Sequence, residues 1–199
     1  AWAMLGFPEE LELIALLDDA ALEPFGGREE IEAIFLKAAK ASCDWFIENT
    51  PTDGIPYWDG GAPNLHRLGD YLNRPADPFN DWEPVDSSAA AIGAQGLLRL
   101  GKYLGLDTED GKRYWQAGLT ASKAMLNDPY ISRDETHQGL LLHSIYHQPN
   151  GWDYVPEGSK ISSGESCMWG DYHVRELALY LQRSLKEQSD YCFFGGLEN

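Results

Sequence analysis

The chain has 199 residues and a formal net charge of −17, which comes from 32 acidic and 15 basic side chains. Hydrophobic residues make up 43% of it, so it can bury a core; this excludes a disordered chain and suits one domain or a large part of one. The acidic excess argues against nucleic acid and anionic membrane as partners, because both require clustered positive charge, but it leaves room for a small anionic ligand.

The cysteine pattern and the N-terminus add three expectations. Cys43, Cys167 and Cys192 are odd in number and widely spaced, so we expect neither a disulfide framework nor a metal motif. The sequence shows no signal peptide, no apolar run long enough for a transmembrane helix and no Asn-x-Ser/Thr acceptor, which favours a cytoplasmic location. Because it starts at Ala1 and not at Met, we expect the natural N-terminus to lie further upstream.

Helical periodicity dominates the first 50 residues. Residues 1–21 are predicted to be helical but interrupted at Pro8, so that residues 1–7 form the tail of an earlier helix. From Arg28 to Asn49 the apolar residues fall mainly on one face of a helix, which Pro51 then stops.

The next predicted helix is made of small residues. Asp86 or Ser87 is its expected N-cap, and Gly105 can close it. Residues 88–96 are nearly all small. A helix whose side chains are small and apolar on every side is expected to be surrounded by other helices.

Two more helices follow. Thr108 caps the first of them, whose expected buried stripe is Tyr114, Gly118, Ala121 and Met125. The last helix is expected to start near Asp171 as its cap, with a buried stripe of Val174, Leu177, Ala178, Leu181 and Leu185.

Two long stretches, residues 51–85 and 129–169, lack helical periodicity and are rich in aromatic residues. Loops of this length in a compact helical domain tend to carry function. Helix pairs alternating with such loops predict an all-α fold, a toroid of helical hairpins whose loops gather at one end. Leu140–Leu142 is a candidate short strand.

The first loop contains candidate sugar-binding residues. Tyr57 and Trp58 offer flat faces for stacking on a sugar ring, and Asp53 and Asp59 can accept hydrogen bonds from hydroxyls. The alternative is a rigid loop that packs its own aromatic side chains.

The second loop contains histidines and a basic segment. His143 and His147 have i, i+4 spacing but lack the Glu of a zinc-binding motif, so we expect no metal. His143 is a candidate substrate-binding residue with a polar role at the mouth of a cleft, the alternative being a structural role. Lys160, together with Ser163, is a candidate contact for a carboxylate or sulfate, the alternative being a solvated loop. Trp169 completes the predicted substrate-binding set.

Five segments, in order along the chain, resemble the unsaturated glucuronyl hydrolases, glycoside hydrolase family 88. They are Ala1–Phe7, Asp53–Asp59 (Asp-Gly-Ile-Pro-Tyr-Trp-Asp), Asp86–Ile92, Gly139–His143 and Trp169–Tyr172 (Trp-Gly-Asp-Tyr). The resemblance implies an (α/α)6 toroid that releases a terminal Δ4,5-unsaturated uronic acid from an oligosaccharide. An aspartate protonates and hydrates the vinyl ether, the sugar then opens through a hemiketal, and no metal or other cofactor is required.

The resemblance also implies that this chain is incomplete as an enzyme. The family's catalytic aspartates lie upstream of the segment that matches Ala1–Phe7, so we assign no catalytic residue and expect the chain alone to be inactive. Residues 1–199 are interpreted as the C-terminal part of a single toroid domain, with residues 8–27 as an irregular insertion. A partial toroid would expose an apolar seam, which predicts self-association.

Two alternatives stay open. One is a non-catalytic carbohydrate-binding or interaction module on the same scaffold. The other is a different toroid glycosidase with its acid among Asp53, Asp59 or Asp86.

Overall fold

The computed structural model describes residues 1–189 and Tyr191. The helices are α1 (Trp2–Leu16), the single turn α2 (Asp19–Leu22), α3 (Arg28–Asn49), α4 (Ser87–Leu104), α5 (Glu109–Met125) and α6 (Met168–Leu185). Across this described part the chain forms no strand, only two isolated bridges, Tyr57 with Val85 and Ile131 with Leu141. The all-α prediction is confirmed, and the expected strand at Leu140–Leu142 amounts to one bridge. Cys192 lies outside the described residues.

Helix α4 is the centre of the structure, as its small residues predicted. It packs against α1, α3, α5 and α6, and its residues from Ser87 to Gly101 are almost all buried. One apolar cluster joins α4 to α1, α3 and α5; a second joins it to α5, α6 and the two long loops. No helix within the described residues is long and apolar enough to cross a membrane.

The predicted interruption at Pro8 is wrong, because α1 continues through it to Leu16. Proline lacks the N–H that would bond the Met4 carbonyl. That carbonyl faces Gly96 of α4 so closely that a Cβ there would lie 2.0 Å from the oxygen. The apolar face of α1, with Leu11 fully buried, holds the helix together across the missing bond. The irregular conformation expected for residues 8–27 is also wrong, since this stretch contains more than half of α1 and the turn α2. That these residues are an insertion stays a prediction.

Most of the predicted helix ends are confirmed. Asp86 accepts from the Ser88 N–H at 3.0 Å, Thr108 accepts from the Gly111 N–H at 3.0 Å, and Gly105 ends α4 with φ +88°.

The predicted start of α6 is wrong. The cap is Cys167, whose Sγ accepts from the Gly170 N–H at 3.3 Å, and Asp171 lies inside the first turn. The buried stripe keeps Val174 and Leu177, but Ala178 and Leu185 are exposed. The Asp171 carboxylate accepts hydrogen bonds from backbone N–H groups of the loop before α6, at Leu140 and Leu141. This side chain is therefore not available as a cap.

Candidate functional site

Two loops meet at the N-terminal end of α4. We call them loop A (residues 50–85) and loop B (residues 126–167). The N-cap residue Asp86 joins them: its backbone N–H donates to the Pro56 carbonyl at 2.9 Å, and its carboxylate accepts from the Ile145 N–H at 3.3 Å. Burial raises the pKa of the Asp86 carboxyl, while the hydroxyl and backbone donors around it oppose that rise.

Helix α6 anchors the other side of loop B. The Asp171 carboxylate accepts from the backbone N–H groups of Leu140 and Leu141 at distances of 2.8 to 3.0 Å. The Ser87 hydroxyl donates to the Leu142 carbonyl at 2.7 Å. The middle of loop B is therefore fixed between the N-terminal ends of α4 and α6.

His143 is the buried centre of this arrangement, with 3% of its surface exposed. Its Nδ1 accepts from the Gly164 N–H at 3.1 Å, which places the ring proton on Nε2. The rings of Phe79 and Tyr130 meet it edge to face. Burial lowers the pKa of His143 to about 4, so the ring is neutral at pH 7.

Asp53 and Tyr57 are held within loop A. The Asp53 carboxylate accepts from the backbone N–H groups of Ile55 and Ala76, at 3.3 and 3.1 Å, and burial raises its pKa. The ring of Tyr57 is buried against Tyr71 in the core. The structure thus gives both residues packing roles, and their contact with a sugar stays a prediction.

Trp58 borders a cavity of about 270 Å³ that lies between loop A and the end of α3. Its indole N–H donates to the buried carboxylate of Glu83 at 2.7 Å, and the exposed ring of Trp45 stands on the rim. Trp58 is therefore fixed in orientation, with one part of its ring open to the cavity.

Lys160 lies on the outer side, where loop B meets loop A. Its ammonium is 2.8 Å from the Asp81 carboxylate and 5.9 Å from the ring centre of Trp82. The guanidinium of Arg67 lies 4.6 Å from the centre of the same ring. Two cations therefore lie around one ring within a strongly acidic chain, and Lys160 is already paired with the Asp81 carboxylate.

Ser163 lies close to His143, and Trp169 lies at the start of α4. Ser163 is buried next to Gly164, and the Trp169 indole N–H donates to the Ser88 hydroxyl at 3.2 Å. Of the predicted set, the structure thus brings together His143, Ser163 and Trp169. Trp58 faces a separate cavity, which Tyr57 also lines, and Lys160 lies on the outer edge.

Sequence reasoning missed an exposed line of aromatic rings. Tyr146 stacks on Trp169 with centroids 5.2 Å apart, and Trp152 lies beside Tyr146 at 5.8 Å. We call Trp169, Tyr146 and Trp152 the aromatic row. The segment Asn150–Tyr154 was recognisable from its Gly and aromatic content, but its contact with Tyr146 depends on the path of loop B. Within the described residues no group of three His, Cys, Asp or Glu side chains is arranged to hold a metal ion.

Comparisons with known proteins give one consistent result. No protein-family model matches the chain. An unsaturated glucuronyl hydrolase from Bacillus sp. strain GL1 is 31% identical over 157 residues, which cover 77% of this chain and 34% of that enzyme. An unsaturated chondroitin disaccharide hydrolase from Streptococcus pyogenes serotype M1 is 28% identical over 149 residues, 74% of this chain and 31% of that enzyme.

Solved structures agree. The crystal structure of the Bacillus sp. GL1 enzyme has a TM-score of 0.61 and 26% identity, and the match covers 92% of this chain and 38% of that one. A Streptococcus agalactiae unsaturated glucuronyl hydrolase, solved with dGlcA-GalNAc6S, has a TM-score of 0.60, with 96% and 39% covered; at 21% identity it supports the fold alone. The predicted helical-toroid fold is confirmed, and the chain spans about a third of the length of the curated relatives it matches.

Proposed function

We propose that this chain, which is homologous to about one third of the unsaturated glucuronyl hydrolases of glycoside hydrolase family 88, forms one wall of the substrate cleft of such an enzyme. The proposal rests on the 31% identity over 157 residues with the Bacillus enzyme. The meeting of both loops at the N-terminal ends of α4 and α6 supports it, because loops gathered at one end of a rigid helical scaffold are where a cleft forms.

The substrate of the whole protein is an oligosaccharide that ends in a Δ4,5-unsaturated uronic acid. Its carboxylate, or a sulfate on the next sugar, suits the cations Lys160 and Arg67, while the neutral faces of its rings suit Trp58 and Trp169. No part of this assignment requires nucleic acid or membrane.

Catalysis depends on carboxylates outside these residues. Residues 1–199 then form the C-terminal part of one toroid domain, and the upstream part supplies the aspartate that protonates and hydrates the double bond. The carboxylates proposed as an alternative acid are already hydrogen-bonded to backbone: Asp53 to Ile55 and Ala76, Asp59 to Gly61, and Asp86 to Ser88. This supports a binding role for the chain over a catalytic one.

The exposed face between α1 and α6 supports self-association. A cavity of about 520 Å³ separates the two helices, with Trp2 and Met168 on its walls, and 83% of the Met168 surface is exposed. Large exposed apolar patches mark places where a protein contacts another protein, a membrane or a ligand. A second copy of the chain is the occupant we propose for it.

Lys160 provides the test of the ligand assignment. We expect Lys160→Met to weaken binding of a Δ4,5-unsaturated disaccharide about fivefold, the loss of roughly one exposed ionic contact. Asp81→Asn should strengthen binding, because it removes the carboxylate that now pairs with Lys160. Titration by tryptophan fluorescence measures both. Lys123→Met, on the exposed side of α5, is the matched control. Equal affinities for the wild type and the Lys160 variant would refute the assignment.

A further inference from the structure

The cavity of about 270 Å³ between loop A and the C-terminal end of α3 is a second concave surface, and we call it the loop A cavity. Two tryptophan rings line it, Trp45 from α3 and Trp58 from loop A, and Ala1 and Ala89 line it at the starts of α1 and α4. None of its described lining residues comes from loop B, so it is separate from the part of the candidate site that loop B forms. Its volume lies just below the range of roughly 300–1,000 Å³ found for drug-sized ligands, so it suits one small ring.

Trp58 is held in the wall of the cavity by a buried carboxylate. Its indole N–H donates to Glu83 at 2.7 Å, and Glu83, of which 3% is exposed, also accepts from the Asn64 N–H at 2.6 Å. Because the N–H is the only polar group of an indole ring, the part of Trp58 that lines the cavity is hydrocarbon. The orientation of this ring is fixed before a ligand arrives, which reduces the entropy that binding would cost.

Trp45 stands on the rim of the cavity, with 54% of its surface exposed. Its ring lies so close to the backbone of Gly60 that a Cβ at this position would overlap the ring carbon atoms. Glycine, which has no Cβ, leaves the room that this ring occupies. One side of the indole is therefore covered by Gly60, and the remaining surface is open at the rim.

The polar groups of the loop A cavity disfavour an anion. No basic side chain lines it, and Asp59 is the one acidic side chain among its described lining residues. One carboxylate oxygen of Asp59 accepts from the Gly61 N–H at 2.6 Å, and a carboxylate has further lone pairs for the hydroxyl groups of a ligand. The Asn49 amide donates to the Trp45 carbonyl at 2.8 Å, and its oxygen is a second acceptor. Hydrocarbon walls with exposed acceptors suit a neutral ring that carries hydroxyl groups.

We infer that the loop A cavity is a second carbohydrate site, which binds one neutral sugar ring. The C–H groups of one face of the sugar pack on Trp45 and Trp58, because the face of an aromatic ring carries partial negative charge and attracts weakly positive C–H groups. The hydroxyl groups of the sugar donate to Asp59 and Asn49. The inference goes beyond the proposed function, since the cleft requires a uronic acid and this cavity disfavours one.

The indole N–H signals in an NMR spectrum of the isotope-labelled 199-residue chain report which site a ligand occupies. We expect methyl β-glucoside, a neutral ring with C–H groups on both faces, to shift the signals of Trp45 and Trp58 with a dissociation constant in the millimolar range and to leave that of Trp169 in place. Methyl β-glucuronide, the same ring with a carboxylate, should bind at these two tryptophans about fivefold more weakly, since Asp59 repels it. Asp59→Asn should remove that difference, because asparagine keeps the oxygen that accepts the Gly61 N–H.

Two variants test the contact with the indole ring. Trp45→Ala should weaken binding of the glucoside about tenfold, the loss of one stacked ring. Gly60→Ala should weaken it as well although it removes no aromatic residue, because the new methyl group displaces the Trp45 ring. Trp152→Ala, in the aromatic row, is the matched control, since it removes an exposed tryptophan that does not line the cavity. Urea unfolding shows whether each variant is folded.

The inference is overturned, with the proposed function intact, if the unsaturated disaccharide binds but the glucoside shifts neither tryptophan of the cavity, or if Trp45→Ala leaves the affinity for the glucoside unchanged. It is overturned also if the glucuronide binds at Trp45 as tightly as the glucoside, or if the unsaturated disaccharide displaces the glucoside, since the cavity would then be part of the cleft. Binding of the glucoside without binding of the unsaturated disaccharide would support the second site and refute the proposed function.

Discussion

At the residue scale, His143 shows how one buried polar side chain can hold two parts of the candidate site together. It has φ +64°, its ring is buried, and its Nδ1 accepts the N–H of Gly164, the residue after Ser163. Its backbone carbonyl also accepts from the Ser87 N–H at 3.1 Å. One residue therefore joins the start of α4 to the segment that carries Ser163.

The lowered pKa of His143 makes stability depend on pH. The unfolded chain takes up a proton near pH 6.5, but the folded chain only near pH 4, so folding loses stability as pH falls through this window. His143→Asn removes the titration and tolerates the positive φ. We expect its free energy of unfolding to fall less than that of the wild type between pH 7 and pH 4, by on the order of 3 kcal/mol. Urea unfolding at several pH values measures this.

Asp53 and Asp86 have raised pKa values and act in the opposite direction, so only the difference between the two proteins isolates His143. If the free energy of unfolding of the wild type and of the variant changed in parallel with pH, His143 would not be the group that titrates.

The sequence could suggest a polar role for His143 near a cleft. It could not show the positive φ or the bond to Gly164, because both depend on contacts across 21 residues.

At the element scale, the caps and the small-residue helix were predictable because they are local signals. Asp86, Thr108 and Gly105 act on groups within three residues of themselves. The errors at Pro8 and at Asp171 have a common cause. In each case a tertiary contact, with α4 or with loop B, determines where the helix runs, and no local signal shows it.

The close approach of α1 and α4 is testable with one methyl group. Gly96→Ala would place a Cβ 2.0 Å from the Met4 carbonyl oxygen, so the two helices must separate. We expect a loss of about 1–3 kcal/mol in the free energy of unfolding. Gly6→Ala in α1 has no atom within 4 Å of the new methyl group, and it should stabilise the protein by about 0.5–1 kcal/mol through helix propensity. Similar denaturation midpoints for the two variants would show that the helices are not in contact at this point.

At the scale of the whole molecule, the alternation of helices and long loops predicted the fold class, and the resemblance of five motifs in order predicted the family. The arrangement of the site was less predictable. Residues as far apart as Ser88 and Trp169 meet only because α4 and α6 begin side by side. Asp53 and Tyr57, chosen for their chemistry, are enclosed by a loop that folds back on itself.

The exposed face between α1 and α6 predicts a concentration-dependent dimer in sedimentation velocity. Met168→Glu places a charge on this face and should give a monomer. Ile34→Glu, at an exposed position of α3 outside the cavity between α1 and α6, is the control and should leave the dimer intact. A compact monomer at all concentrations would contradict the self-association we propose.

The central claim is that this chain binds an unsaturated uronic-acid saccharide but does not cleave it. The direct measurement mixes the 199-residue chain with a Δ4,5-unsaturated disaccharide and follows tryptophan fluorescence and the absorbance of the double bond together. We predict saturable quenching of fluorescence with no loss of absorbance. Steady loss of absorbance would contradict the claim, because the catalytic carboxylate would then lie within these residues, and absence of quenching would contradict the claim that they form a wall of the cleft.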